Sequence, residues 1–424
     1  MRTRKLFFLS AMAVSFSANA SMDYDYSVYT NSFKKTENTK KYDQNELFTS
    51  LKINNKFDIT DEIQFNSSII ALYSSSAKNQ NGIFTANNLR DTIPYVDIAK
   101  MYLTFFGENI DIYLGKKEIK VGKAELYSPS DIFGKSIIVT PQHSEQVGEY
   151  TLSADYYLND DKISMSVFPS NIHYGKPDQK SRWYQDEKDY DFFSGSVSST
   201  SLIYEENKDS SINNWGFLVK YSAMIDSLEY YTYVSKKEAL YPVLKKRGVN
   251  AYEKIYPNAA FLALGLLQVV EENKYYMDLI YQHTLNNLDQ DYVNYTVGFK
   301  HRQTDYAKYL DLEEVALIIE YAGQMIADDK YSSDVDQNSN GSRINKNNAI
   351  LSVEFKKDAN LSYRYSYNTS MEKNDSSQNH TIKYNYNDNT TFYVSAYFYQ
   401  GSEGTFFGRW KENDNIELGF NYKF

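Results

Sequence analysis

The feature that most constrains this chain is a strict period of two. In NIELGFNYKF, residues 415–424, Ile416, Leu418, Phe420, Tyr422 and Phe424 alternate with Glu417, Gly419, Asn421 and Lys423. Such alternation puts an apolar row on one face of a strand and a polar row on the other. In a soluble sandwich, strands run about five or six residues and a second sheet covers the apolar row. A tilted strand crossing a bilayer needs about ten, and this segment supplies ten.

The pattern recurs. Tyr150, Leu152, Ala154, Tyr156 and Leu158 oppose Thr151, Ser153, Asp155 and Tyr157. Val293, Tyr295, Val297 and Phe299 oppose Asn294, Thr296, Gly298 and Lys300. Residues 349–356, 361–368 and 392–398 repeat it. Lipid is the solvent that covers so many one-sided strands, and closure removes the sheet edges. The expected fold is all-β: a transmembrane antiparallel β-barrel of about 18 strands (16–18) over residues 21–424. One strand is expected at 109–121, and Thr405–Trp410 is expected in the last loop. Short Asp/Asn-rich turns, such as 58–62, 107–111 and 387–390, alternate with long polar stretches at 75–96, 122–146, 170–211 and 324–346. This predicts short periplasmic turns and long extracellular loops.

Composition agrees. There is no cysteine, so no disulfide or thiolate metal site holds the chain together. Mean hydropathy is negative, yet the chain carries 41 tyrosines and 24 phenylalanines, as a barrel with a polar lumen and aromatic girdles requires. The longest apolar run, Ala259 to Val270, is broken by Gln268 and is too short for a spanning helix. Residues 1–20 read as a signal peptide: Arg2, Arg4 and Lys5, an apolar core, then Ala18-Asn19-Ala20. Export to the cell outer membrane of a Gram-negative bacterium follows.

The polar partners of the alternation are the pore-lining candidates. They are Lys52, Lys100, Lys117, Lys220, Lys300, Arg302, Arg364 and Lys383 on the basic side. On the acidic side they are Glu62, Asp111, Asp155, Asp278, Glu314, Glu320, Glu354 and Glu417. Mixed signs predict no strong ion selectivity. His283, His301 and His380 fall on the lipid-side parity, and no serine–histidine constellation is visible, so no catalytic residue and no enzyme activity are expected. DVDQNSNGS lacks the closing glutamate of a calcium loop; no metal and no cofactor are expected.

Two stretches carry a family resemblance. In YLGKKEIKVGKAELYSPSDIF, the residues Gly115, Lys116, Ile119, Gly122, Glu125, Pro129 and Asp131 match a strand-to-loop motif. The ending YFYQGSEGTFFGRWKENDNIELGFNYKF matches a second segment. Both resemble a group of Gram-negative porin-like outer-membrane proteins, with Val121 where the motif has Trp. The resemblance implies a channel-like role and names no substrate. The terminal Phe420, Tyr422 and Phe424 are similar to the signal read by the outer-membrane assembly machinery.

The expected function is passive passage of small solutes. The loop at 122–146, with Lys123, Glu125, Asp131 and Lys135, is expected to fold inward and narrow the pore. Two alternatives stay open: a channel or exporter partner for apolar molecules, suited by Tyr231, Tyr233, Tyr393 and Tyr397, and a structural or adhesive barrel with a closed lumen. Expected partners are membrane lipid, lipopolysaccharide, the assembly machinery and small solutes, with no nucleic acid. Oligomeric state is left open.

Overall fold

The computed structural model describes residues 20–34, 42–75, 95–138, 140–169, 182–184, 202–205, 212–336 and 343–424. Except for Ala20, the expected signal segment lies outside them. The first strands are β1 (Ala20–Phe33), β2 (Asn45–Thr60), β3 (Ile63–Ser74), β4 (Tyr95–Phe106), β5 (Ile110–Lys117), β6 (Lys135–Ile138) and β7 (Ser144–Val147). Next come β8 (Glu149–Leu158), β9 (Asp161–Phe168), β10 (Leu202–Glu205), β11 (Gly216–Ile225), β12 (Leu228–Glu238), β13 (Val243–Gly248) and β14 (Ala251–Ile255). The remainder are β15 (Asn258–Val270), β16 (Asn273–Thr284), β17 (Asp291–Gln303), β18 (Glu314–Asp328), β19 (Asn347–Lys356) and β20 (Leu361–Ser370). β21 (Ser376–Asn385), β22 (Thr390–Gln400) and β23 (Asn415–Lys423) complete the chain.

Eighteen of these form one antiparallel sheet, each strand paired with its neighbours. β6–β7 form a separate hairpin, and β10, β13 and β14 a small sheet outside the barrel. The large sheet closes on itself where β1 pairs with β23, with Tyr26 opposite Tyr422 and Val28 opposite Phe420. A closed sheet leaves no unpaired edge. Thr405–Trp410 lies in the connection before β23, as expected, and ends in a single 3-10 turn.

The alternation read from the sequence becomes inside and outside. Ile416 and Leu418 are about half exposed on the outer face, while Glu417 between them is 1% exposed. Leu152 and Leu262 face out in the same way; Ser153 and Ala263 beside them face in and are buried. At the end where β1 begins and β23 ends, two-residue turns join β2–β3, β8–β9, β11–β12 and β15–β16. Asn159, Asp226 and Glu271 open three of them at positive φ near 55°, a conformation that Asn and Asp tolerate best.

Two departures from a plain ladder matter for the lumen. A bulge between β3 and β4 leaves Ala99 without a partner, so that Lys100 pairs with Ser68 and Asp97 with Ile70 on one face. β5 ends at Lys117, four residues short of the expected 121. Gly115 sits near this end at φ 135, where an added Cβ would meet the Met101 carbonyl at 2.3 Å. The chain then leaves the wall and turns inward.

Candidate functional site: a loop carried across the lumen

Residues 118–148 connect β5 to β8, and buried side chains of the wall grip their backbone. The Asp278 carboxylate on β16 accepts the amides of Lys123 and Ala124, each at 2.8 Å to Oδ2. Glu320 on β18 accepts those of Glu125, Leu126 and Tyr127 at 2.9, 2.8 and 2.9 Å. Both carboxylates are essentially without solvent contact. Charge-assisted bonds of this kind contribute about 1.5–3 kcal/mol each, which offsets the cost of burying the charge.

Each anchor is itself held by a tyrosine. Tyr231 donates to Asp278 and Tyr276 to Glu320, both at 2.7 Å. Each ring lies flat across a glycine on the next strand: a Cβ at Gly265 would come within 1.9 Å of Tyr231, and one at Gly298 within 2.1 Å of Tyr276. Close approach is why these wall positions carry glycine.

Farther along, Tyr233 donates to the Ser130 carbonyl at 3.1 Å. Lys237 donates to the Ile132 carbonyl at 3.1 Å and to Glu149 at 2.6 Å. Asp131 bonds its own loop, accepting the amides of Val121 and Gly122 at 2.7 Å. The β6–β7 hairpin carries the chain to the other side of the barrel. There the His143 Nε2 lies 2.9 Å from Glu417 on β23, and its ring stacks on Tyr29 of β1 at 4.2 Å. Apolar clusters fill the space behind: Val121, Ile132 and Phe133 pack on Phe168, Leu218 and Phe261, and Val147 packs with Phe48, Ile70 and Leu72.

The loop thus covers the walls of β1–β4, β8, β9, β11, β12, β15, β16, β18 and β23. Among the described residues, no hydrogen bond or ion pair joins it to β19, β20 or β21. No residue of β20 is buried, and in β21 only Ser376 is. The open part of the lumen lies along that wall. Its inward positions on β20 and β21 are Ser362, Arg364, Ser366, Asn368, Ser377, Asn379, Thr381 and Lys383, paired across the two strands.

The charges near the opening are paired. Glu125 on the loop meets Lys274 at 2.5 Å and Lys300 at 3.1 Å. Burial pushes the Glu125 carboxyl up, but the hydrogen bonds and charge of the two lysines outweigh it and hold it below the usual range. Lys123 meets Glu229 at 2.6 Å, Arg364 meets Glu354 at 2.8 Å, and Lys356 meets Glu314 at 3.3 Å.

The expected pore-lining residues therefore separate into groups. Lys300, Glu314, Glu354, Arg364 and Lys383 face the open side, with Arg302 near the turn end. Lys52 faces inward on β2 and Lys100 on β4. Asp111, Lys117, Asp155 and Lys220 form a mixed cluster on the β5–β11 wall, where Lys117 lies 3.0 Å over the Tyr113 ring. Asp278, Glu320 and Glu417 are corrected: they point inward but lie under the loop, and they anchor it rather than face water. Glu62 sits in the exposed turn between β2 and β3. Of the constriction-loop candidates, Lys123 and Glu125 reach wall charges and Asp131 is internal to the loop; the Lys135 side chain lies outside the described residues. His283, His301 and His380 are on the outer face, as expected. Tyr231, Tyr233 and Tyr397 are buried beneath the loop and hydrogen-bonded. The sequence reading missed Lys274 and Tyr276, although both share the inward parity of Asp278 on β16. Of DVDQNSNGS, residues 337–342 lie outside the described residues; Asp334 pairs with Lys245 at 3.0 Å.

The fold is thus a closed eighteen-strand antiparallel barrel with apolar residues on its outer face and a loop carried inside it. The solved structures similar to it include OccAB1 of Acinetobacter baumannii, at 7% identity and a TM-score of 0.55, covering 96% of each chain. OccK8 (OprE) of Pseudomonas aeruginosa gives 9% identity and 0.53, over 96% of this chain and 98% of that one. OpdQ of the same organism gives 11% and 0.51, over 96% and 97%. At these identities the likeness is one of fold. No protein-family model matches the chain, and no curated protein sequence matches it.

Proposed function

We propose that this protein is a Gram-negative outer-membrane channel for the passive passage of small water-soluble solutes. One observation carries the reading: the inward loop fills the barrel on one side and leaves a polar, water-accessible wall along β20 and β21 on the other. A barrel of this strand number is wide enough to hold an aqueous path. The covered tyrosines leave little apolar surface for an oily solute. In this reading the two-residue turns and both termini face the periplasm, residues 1–20 are removed on export, and the outer face meets lipid and lipopolysaccharide. The C-terminal aromatics Phe420, Tyr422 and Phe424 serve as the assembly signal. Planar-bilayer recording of the purified protein tests it: discrete, ohmic single-channel steps are expected, and a silent bilayer at saturating protein contradicts it.

A further inference from the structure

The chemistry of the open wall is more specific than that of a general polar channel. On β20 and β21, six of the eight inward positions are uncharged hydroxyls or amides: Ser362, Ser366, Asn368, Ser377, Asn379 and Thr381. The other two are basic. Arg364 is held by Glu354 at 2.8 Å, which leaves Lys383 as the basic group of these two strands with no carboxylate in ion-pair range among the described residues. Across the opening, Glu125 takes up Lys274 and Lys300 together.

This distribution disfavours an anion-selective wall. A carboxylate solute binds best to a guanidinium fork with its donors free and its charge unpaired, and the Arg364 guanidinium gives one donor to Glu354, which offsets its charge. Hydroxyl and amide side chains, by contrast, both donate and accept. Ser366 lies 3.2 Å from Ser352, and Thr381 lies 2.8 Å from Ser395. Ser366 keeps capacity for a further bond, and Thr381, whose hydroxyl also donates to Asn379 Oδ1 at 3.0 Å, keeps a lone pair to accept one. Such a surface exchanges hydrogen bonds with a hydroxylated solute as readily as with water, and asks no charge of it.

We propose that the passage is built for uncharged, hydroxyl-bearing solutes of the sugar and polyol class. The proposal rests on the channel reading and deepens it. The test compares entry of labelled glucose and labelled gluconate, a neutral and an anionic six-carbon hydroxylated solute, into proteoliposomes of the full-length protein at matched ionic strength. Glucose is expected to enter several-fold faster. The Ser366→Ala/Thr381→Val double variant removes two hydroxyls without adding bulk to the wall; it is expected to slow glucose several-fold relative to gluconate. Faster entry of gluconate, or unchanged glucose entry in the double variant, overturns the proposal and leaves the channel standing. Entry of neither solute together with no conductance overturns the channel reading itself.

Discussion

Tyr24 and Phe424 exchange both of their backbone hydrogen bonds, at 2.7 and 3.0 Å, and their rings stack at 4.6 Å. Residues at opposite ends of the chain thus form one cross-strand pair. The apolar face of the last strand needs no second sheet, because the barrel is closed here and lipid covers the outside. The chain has no cysteine, so Tyr26→Cys combined with Tyr422→Cys, directly opposed in the register, should form a disulfide in intact membranes. Electrophoretic mobility before and after reduction reads it. Absence of the cross-link would mean that the sheet is open.

Outward and inward positions should differ sharply in their tolerance of charge. Val394, near the middle of β22, is exposed on the outer face. Val394→Arg should cost about 2–4 kcal/mol, the penalty for a cation at the bilayer midplane. Ser366→Arg, on the open inner wall, should cost little, since its guanidinium stays in water. Equilibrium unfolding from lipid vesicles measures both, and equal costs would contradict the assignment of the two faces.

How far the architecture is legible in sequence depends on the range of the forces involved. Ile416 and Leu418 set against Glu417 reveal a face by local alternation alone, and repetition of that pattern yields the strand count. The same alternation treats Glu320 and Lys300 alike, as inward polar residues. Only the fold shows that Glu320 lies under the backbone of Glu125–Tyr127 while Lys300 reaches the water-accessible side of that loop. That contact spans nearly two hundred residues of sequence, and no local pattern encodes it. The β3–β4 bulge at Ala99 is a similar case, shifting parity with no turn residue to announce it. The expectation of an inward loop rests on the motif that precedes residues 122–146 and on the charges that loop carries; no pattern there announces its hairpin, β6–β7.

The two buried anchors should control the width of the opening. Asp278→Asn and Glu320→Gln each keep the shape of the side chain but weaken the charge-assisted bonds to the loop amides, at about 2–3 kcal/mol per site. Single-channel conductance should rise and its noise should increase, most in the double variant. Unaltered traces would show that the loop is held elsewhere.

Acid should release the loop late. The Glu125 carboxyl titrates below the usual glutamate value because Lys274 and Lys300 favour its charged form over the opposing effect of burial. The clamp's contribution is therefore fully present above the unfolded-state value of about 4.3 and fades as pH falls through the lower folded-state value. The part of the conductance change that depends on Glu125 should be absent at about pH 5 and above and set in only below about 4.3. Glu125→Gln should remove that step. A transition between pH 6 and 7 that depends on Glu125 would contradict the assignment.

The central claim is that solutes and ions move along the β20–β21 wall and not along the walls under the loop. Single cysteines answer it directly in this cysteine-free chain. Ser366→Cys and Thr381→Cys lie on the open wall; Ser68→Cys and Ser166→Cys lie inward on covered walls and are 0% and 6% exposed. During single-channel recording, a charged methanethiosulfonate reagent should cut the current in the first two variants and leave the second two unchanged. Equal block at all four positions, or block at Ser68 and Ser166 alone, would place the path elsewhere and contradict the account.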